Sequence, residues 1–305
     1  MKSYDVIIIG GGGAGLTAAL YTSRAKLSTL LLEKLVPGGQ IALTDLVENY
    51  PGFPEGVTGG EISQRMEDQA KRYGTEVVYR EVKSLAKKND GFEVATESET
   101  YSCRAIILAA GASFKTLGVS GEKELTGRGV SYCATCDGAF FKGKEIVVVG
   151  GGDSAMQEGI FLTRFANKVT VIHRRDKLRA SPILQERAKQ NSKINFVWDT
   201  VIDKINGDKK VQGIMIKNLK NEQSAPFQTD GVFIFVGHEP NTRFLNGFVE
   251  LDDHGYVEAG ESLATSVPGV FAAGEIRAGA IKQLVAACGE GCEAALAAQA
   301  FLEQA

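Results

Sequence analysis

Short apolar runs punctuate this chain, and glycine closes most of them. "YDVIIIG" begins at Tyr4, "STLLLE" ends at Glu33, "AIILAAG" spans residues 105–111, "KEIVVVG" begins at Lys144 and "GVFAAG" begins at Gly269. Uninterrupted, β-branched runs of this length predict strands buried on both faces of a parallel sheet. After the first and fourth runs come a glycine turn and a mixed apolar and polar stretch of helical length. The last run is followed by an acid and a long Ala-rich stretch, which predicts a helix starting near Ile281.

Laid over itself, the chain repeats. Gly10 falls on Gly150, Gly12 on Gly152 and Arg24 on Arg164. Strand, phosphate loop and helix are thus written twice, which predicts an α/β fold of two Rossmann-like dinucleotide-binding domains. The tail from Gly269 comes after the second unit yet reads as the completion of the first. The second domain is therefore expected as an insertion, with boundaries at 1–113 and 244–305 around 114–243.

Beyond their glycines the two copies diverge. The first carries Gly10-x-Gly12-x-x-Gly15, with Gly13 and Ala14 between. The first glycine suits a tight turn, the second a close backbone approach to a pyrophosphate, and the third close packing of helix on strand. The helix N-terminus supplies free N–H groups and the positive end of a dipole. Glu33 ends the next strand, roughly 20 residues on, where an acid accepts from ribose hydroxyls. Ala110 and Gly111, in the small-residue turn after the third run, belong to the same site. In the second copy, "GGGDSA" places Gly152, Asp153, Ser154 and Ala155 at the loop, and His173 falls where Glu33 stands. Arg174, Arg175 and Arg179 crowd that position. Arginine forks match a 2′-phosphate, which an acid would repel. The first copy reads as a site for a dinucleotide with free ribose hydroxyls, the second as a site for NADPH.

Composition narrows the class. The chain has 305 residues, 44% hydrophobic and 23% charged, enough for two ordinary cores. A net charge of -3 offers no electrostatic case for nucleic acid or an anionic membrane. The N-terminal apolar run is too short for a signal peptide or a spanning helix. Five cysteines are an odd count, unlike a secreted disulfide framework, so a cytoplasmic location is expected.

Two of those cysteines, Cys133 and Cys136, stand in "SYCATCDGAF" with Asp137 directly after them. A structural zinc site needs four ligands, and the chain has no second Cys-x-x-Cys; His173, His238 and His254 lie far along it. The pair reads as a redox couple, with no metal site expected. Cys103, Cys288 and Cys292 read as small buried hydrophobes. Asp137 suits a general acid for a leaving thiolate, or alternatively a helix N-cap.

In this order "GGGGAG", "PGGQ", "VENYPGF", "CATCDG", "GGGDSA", "HRRDKLRA", "GHEPNT" and "VFAAGEIR" resemble the low-molecular-weight thioredoxin reductases, over essentially the whole chain. The resemblance implies FAD in the discontinuous first domain, NADPH in the inserted one, a homodimer, and thioredoxin as substrate. It further implies that Glu33 through Gln40, with Lys34 and Gly39, line the adenosine and pyrophosphate, and that Asn49 lies near the flavin ring. Gly274, Glu275, Lys282, Gln283 and Leu284 would hold the ribityl chain and ring edge, Glu275 standing where the family usually has Asp. Electrons would run from NADPH to FAD, to a Cys133–Cys136 disulfide, to thioredoxin. Cys136 would face the flavin and Cys133 would meet the partner's disulfide. Alternatives are a reductase feeding a peroxidase system or a glutaredoxin-like protein, a ferredoxin-fed reductase, and a non-catalytic NADPH-responsive binding protein. The first usually carries an additional N-terminal region, the second is opposed by "HRRDKLR", and the last by the cysteine pair.

Overall fold

The computed structural model describes residues 2–43, 47, 49–88 and 91–304; of Leu43 and Cys136 it describes the backbone alone. The chain forms two compact units, one of residues 1–113 with 239–305 and one of residues 114–238.

The first unit opens with β1 (Lys2–Ile9), α1 (Gly13–Arg24) and β2 (Thr29–Glu33). It continues with α2 (Gly59–Arg72), β3 (Glu76–Tyr79), β4 (Val82–Lys88), β5 (Gly91–Thr96) and β6 (Thr100–Leu108). β3, β2, β1 and β6 lie side by side in parallel, so Val6, Ile7, Ile8 and Ile9 are enclosed by Leu30–Leu32 on one flank and residues 105–108 on the other. That is why the predicted runs are apolar without alternation. β4 and β5 extend this sheet antiparallel from β6.

β7 (Ala112–Phe114) leads into the second unit. There α3 (Glu122–Leu125), β8 (Val130–Ser131) and α4 (Ala134–Asp137) precede the second repeat: β9 (Glu145–Gly150), α5 (Asp153–Leu162), β10 (Lys168–Ile172), α6 (Pro182–Gln190) and β11 (Ile194–Val197). Next comes a three-stranded antiparallel layer: β12 (Thr200–Gly207), β13 (Val211–Asn218) and β14 (Ser224–Phe227). β15 (Gly231–Phe235) then completes a parallel sheet of order β11-β10-β9-β15-β8. The antiparallel strands of both units carry polar outer faces, so they lack the continuous apolar runs that mark the parallel strands.

The chain returns through β16 (His238–Pro240), which pairs with β7. Its crossing falls at 238/239, ahead of the expected 243/244. The cause is local: Asn241 is tied into the first unit, its N–H donating to Gly111 O at 3.0 Å and its Nδ2 to Ala110 O at 2.8 Å. β17 (Val270–Ala272) then joins β6 in parallel, and α7 (Leu284–Gln304) packs on α1. The helix therefore starts later than the expected Ile281, because residues 281–283 form a tight turn closed by Gln283 N–H to Ile281 O at 2.7 Å. The close approach of α7 to α1 depends on Gly291, where a Cβ would meet Ala14 O at 2.1 Å. Among the described residues no helix is long and apolar enough to cross a membrane.

Candidate functional sites

The first glycine loop closes β1 onto α1. Gly10 takes φ +107, and a Cβ on it would meet Ala109 O at 2.3 Å; a Cβ on Gly15 would meet Gly10 O at 1.8 Å. Gly12 caps α1 in extended conformation, and no side chain caps that end. A Cβ there would meet only Gly38 O, at 4.0 Å, so the helix N-terminus faces open space. Gly13 and Ala14 are buried beneath it. Glu33 braces the loop: Gly11 N–H donates to its Oε2 at 2.6 Å and Leu35 N–H to its Oε1 at 2.8 Å. Gly38, which the spacing of the motifs does not single out, donates to Gly11 O at 2.6 Å and positions Gly39. Gln40 Nε2 donates to Ala112 O at 2.5 Å, whereas Lys34 is exposed and paired with Glu81.

The other end of this site is built by the turn between β17 and α7. Gly274 takes φ +76, which glycine adopts freely. Its N–H donates to Glu290 Oε2 at 2.7 Å, and Arg277 binds both oxygens of Glu290, Nε to Oε2 at 2.9 Å and Nη2 to Oε1 at 2.5 Å. Glu290, on the inward face of α7, therefore holds the Gly274 backbone before Glu275 and the Arg277 side chain after it. The sequence reading misses this pair; its only signal is an acid between two glycines in an Ala-rich helix. Glu275 itself has a buried Oε2 without a hydrogen-bond partner. Burial pushes its carboxyl above the ordinary value, and Lys282 opposes that shift. Asn49 Nδ2 donates to Gln283 Oε1 at 2.8 Å, and Leu284 is buried against Gly13.

The second unit repeats the loop with different furniture. Gly150 has φ +149, and a Cβ on it would meet Phe235 O at 2.3 Å. Gly152 caps α5, again with no side-chain cap and open space around its Cβ position. Asp153 is drawn aside, its Oδ1 accepting from Ser181 N–H at 2.5 Å; Ser154 is exposed and Ala155 buried. Arg174, Arg175 and Arg179 are exposed, and none pairs with a carboxylate among the described residues. His173 does not join them at the surface: it is buried, its Nε2 lies 3.0 Å from Lys177 O, and burial is the leading cause that holds its pKa below the ordinary value.

Cys133 lies in the turn between β8 and α4 and is disulfide-bonded, whereas Cys103, Cys288 and Cys292 are free. The Cys136 side chain lies outside the described residues. Ser131 grips the Cys133 backbone twice: its Oγ accepts from Cys133 N–H at 3.0 Å and donates to Cys133 O at 3.1 Å. Asp137 stands at the N-cap of the turn Gly138–Phe141 without a side-chain cap bond. Next to Cys133, Tyr132 donates its hydroxyl to buried Glu122 at 2.6 Å. No group of three or more metal-binding side chains exists among the described residues.

Residues 4–291 match the family model described as pyridine nucleotide-disulphide oxidoreductase. The chain belongs to that family. It is 50% identical over 304 residues to the thioredoxin reductase of Bacillus subtilis (strain 168), covering 99% of this chain and 96% of that one. With the thioredoxin reductase of Mycolicibacterium smegmatis the identity is 47%, over 99% and 97% of the two chains. The crystal structure of Lactococcus lactis thioredoxin reductase in its FR conformation superposes with a TM-score of 0.96 at 44% identity, covering 99% of this chain and 100% of that one. Members of this group use FAD and NADPH, and the residues fit both. The first site offers an uncapped helix end and a buried carboxylate oxygen in need of a hydroxyl donor. The second offers an uncapped helix end beside three guanidiniums that lack carboxylate partners among the described residues.

Proposed function

We propose that the chain is a thioredoxin reductase, which oxidises NADPH and reduces the disulfide of thioredoxin to two thiols. The observation that carries this reading is a disulfide-bonded Cys133 in a Cys-Ala-Thr-Cys-Asp turn, within the same unit as a glycine loop flanked by arginines that pair with no carboxylate among the described residues. FAD, when bound, supplies the two-electron relay between the nicotinamide and the protein disulfide. The chain's own residues do the rest. Gly10, Gly12 and the α1 N-terminus receive the FAD pyrophosphate, Glu33 the adenosine ribose, and Glu275 a ribityl hydroxyl. Gly152 and the α5 N-terminus receive the pyrophosphate of NADPH, and Arg174, Arg175 and Arg179 its 2′-phosphate.

The Cys133–Cys136 disulfide takes two electrons and becomes two thiols. The Cys133 thiolate then attacks the thioredoxin disulfide, forming one mixed S–S bond and expelling one partner thiolate, and Cys136 resolves the mixed bond. Asp137 delivers the proton to the leaving sulfur; its carboxylate is not engaged in capping. The reading includes a homodimer, as the family resemblance implies, and a cytoplasmic location. The test is NADPH oxidation with and without thioredoxin. Bleaching of the flavin band by NADPH with no oxidation stimulated by thioredoxin would leave another disulfide protein as the acceptor. Absence of bleaching by NADPH would remove the enzymatic reading.

A further inference from the structure

His173 occupies the position of Glu33 in the repeat, yet the two side chains are used differently. His173 is 5% exposed. A Cβ on Gly151 would meet its ring at 2.3 Å (Cε1) and 2.4 Å (Nδ1), so the imidazole rests on bare glycine backbone. Its Nε2 lies 3.0 Å from Lys177 O, and since a carbonyl only accepts, Nε2 carries the proton and donates. Trp198 meets the imidazole edge-on, with centroids 6.3 Å apart at 80°, and is itself stacked on Phe196 at 5.0 Å and 5°. The backbone adds a second tie between loop and turn: Arg179 and Ala180 both donate to Gly151 O, at 2.7 and 3.1 Å.

We propose that His173, braced by Trp198, is a positioning residue that sets the spacing between the glycine loop and the arginine turn, and thereby the preference for NADPH over NADH, without touching the phosphate itself. This rests on the reading that Arg174, Arg175 and Arg179 take the 2′-phosphate. NADPH must engage loop and turn together, whereas NADH needs the loop alone. A change in their spacing therefore costs NADPH selectively, because pre-set geometry spares the ligand an ordering cost. The charged groups facing His173 are the cationic Arg174, Arg175 and Arg179, which add to burial in holding its pKa below the ordinary value.

The experiment compares kcat/KM for NADPH and NADH in the holoenzyme, and follows KM for NADPH against pH. W198A and H173N, which remove one ring each and leave the arginines in place, should lower the NADPH preference by about tenfold, the worth of one charge-assisted contact. The loss should appear in KM for NADPH, with kcat and the NADH values little changed. W198F, which keeps an aromatic ring, should retain the preference. KM for NADPH in the wild type should show no His173-dependent step between about pH 6 and 8. An unchanged preference in W198A or in H173N overturns the proposal, as do equal losses for both nucleotides. A KM titration that H173N abolishes marks His173 as a phosphate ligand and also overturns it, and this arm does not depend on W198A folding. A wild type with no preference for NADPH breaks the arginine reading instead, before any variant is made.

Discussion

The two glycine loops have nearly the same backbone and opposite chemistry. Gly10 and Gly150 both take positive φ and both meet a neighbouring strand's carbonyl where a Cβ would be. Gly12 and Gly152 both cap a helix without help from a side chain. The difference begins at the middle glycine. Over Gly11 lies the Glu33 carboxylate, half-buried, accepting the loop's own N–H; over Gly151 lies the flat face of a buried imidazole. One repeat was thus adapted at the end of its second strand. An acceptor there suits ribose hydroxyls, and a neutral spacer followed by arginines suits a phosphate. The loops are alike in backbone, and the side chain over the middle glycine is what differs.

The redox turn, which has no counterpart in the first unit, gives the largest expected effect. Cys136→Ser should leave FAD bound and reducible by NADPH and abolish turnover with thioredoxin, as read by stopped-flow bleaching beside steady-state assays. Surviving turnover would mean that the two loops communicate without the thiols. Next comes the second loop. Replacing Arg174 or Arg175 by Ala should weaken NADPH binding by roughly 1.5–3 kcal/mol each, with NADH nearly unaffected; nucleotide titrations measure it. Equal losses would show that the turn does not distinguish the loops.

The first loop should respond in the other cofactor. Glu33→Gln removes the charge that receives Gly11 N–H, and about 1–3 kcal/mol of FAD affinity or fold stability should go with it. The readout is FAD released during dilution or heating; undiminished retention would deny Glu33 its part in the site. Glu290→Gln should cost a similar amount, since the amide keeps one acceptor oxygen but sets its NH2 against a donor of Arg277 or Gly274, and the flavin absorption band should shift if Glu275 moves. The smallest effect separates the loops by pH. His173 has a lowered pKa, so the folded chain binds fewer protons there than the unfolded chain just below the ordinary value of 6.5. Its contribution to stability is intact above that value and declines as pH falls through it. His173→Asn should flatten this part of the thermal midpoint profile, and an unaltered slope would show that His173 does not contribute it.

Much of the molecule could be read from the chain. Continuous apolar runs marked β1, β2, β6, β9 and β17 because a strand covered on both faces tolerates no polar alternation. The repeat at Gly10 and Gly150 marked both loops because only glycine fits where a neighbouring carbonyl lies within 2.3 Å of the Cβ position. The antiparallel strands β12–β14 were not legible, since one face of each meets solvent and the pattern weakens. Neither was the return point of the chain, which Asn241 decides through bonds to residues more than a hundred positions earlier.

What the sequence determined by itself is local and periodic: two strand–loop–helix repeats, an acid in one register and arginines in the other, and a Cys-x-x-Cys with an acid beside it. What only the tertiary structure decided is which side chains complete each site. Glu290 closing on Gly274 and Arg277, Gly38 beneath Gly11, Ser131 gripping Cys133, and Trp198 against His173 are pairings fixed by the folded backbone. Their residue types are ordinary, so composition and spacing carry little trace of them. Burial sets His173 apart from the exposed arginines beside it, and burial is a property of the packed chain, not of the residue.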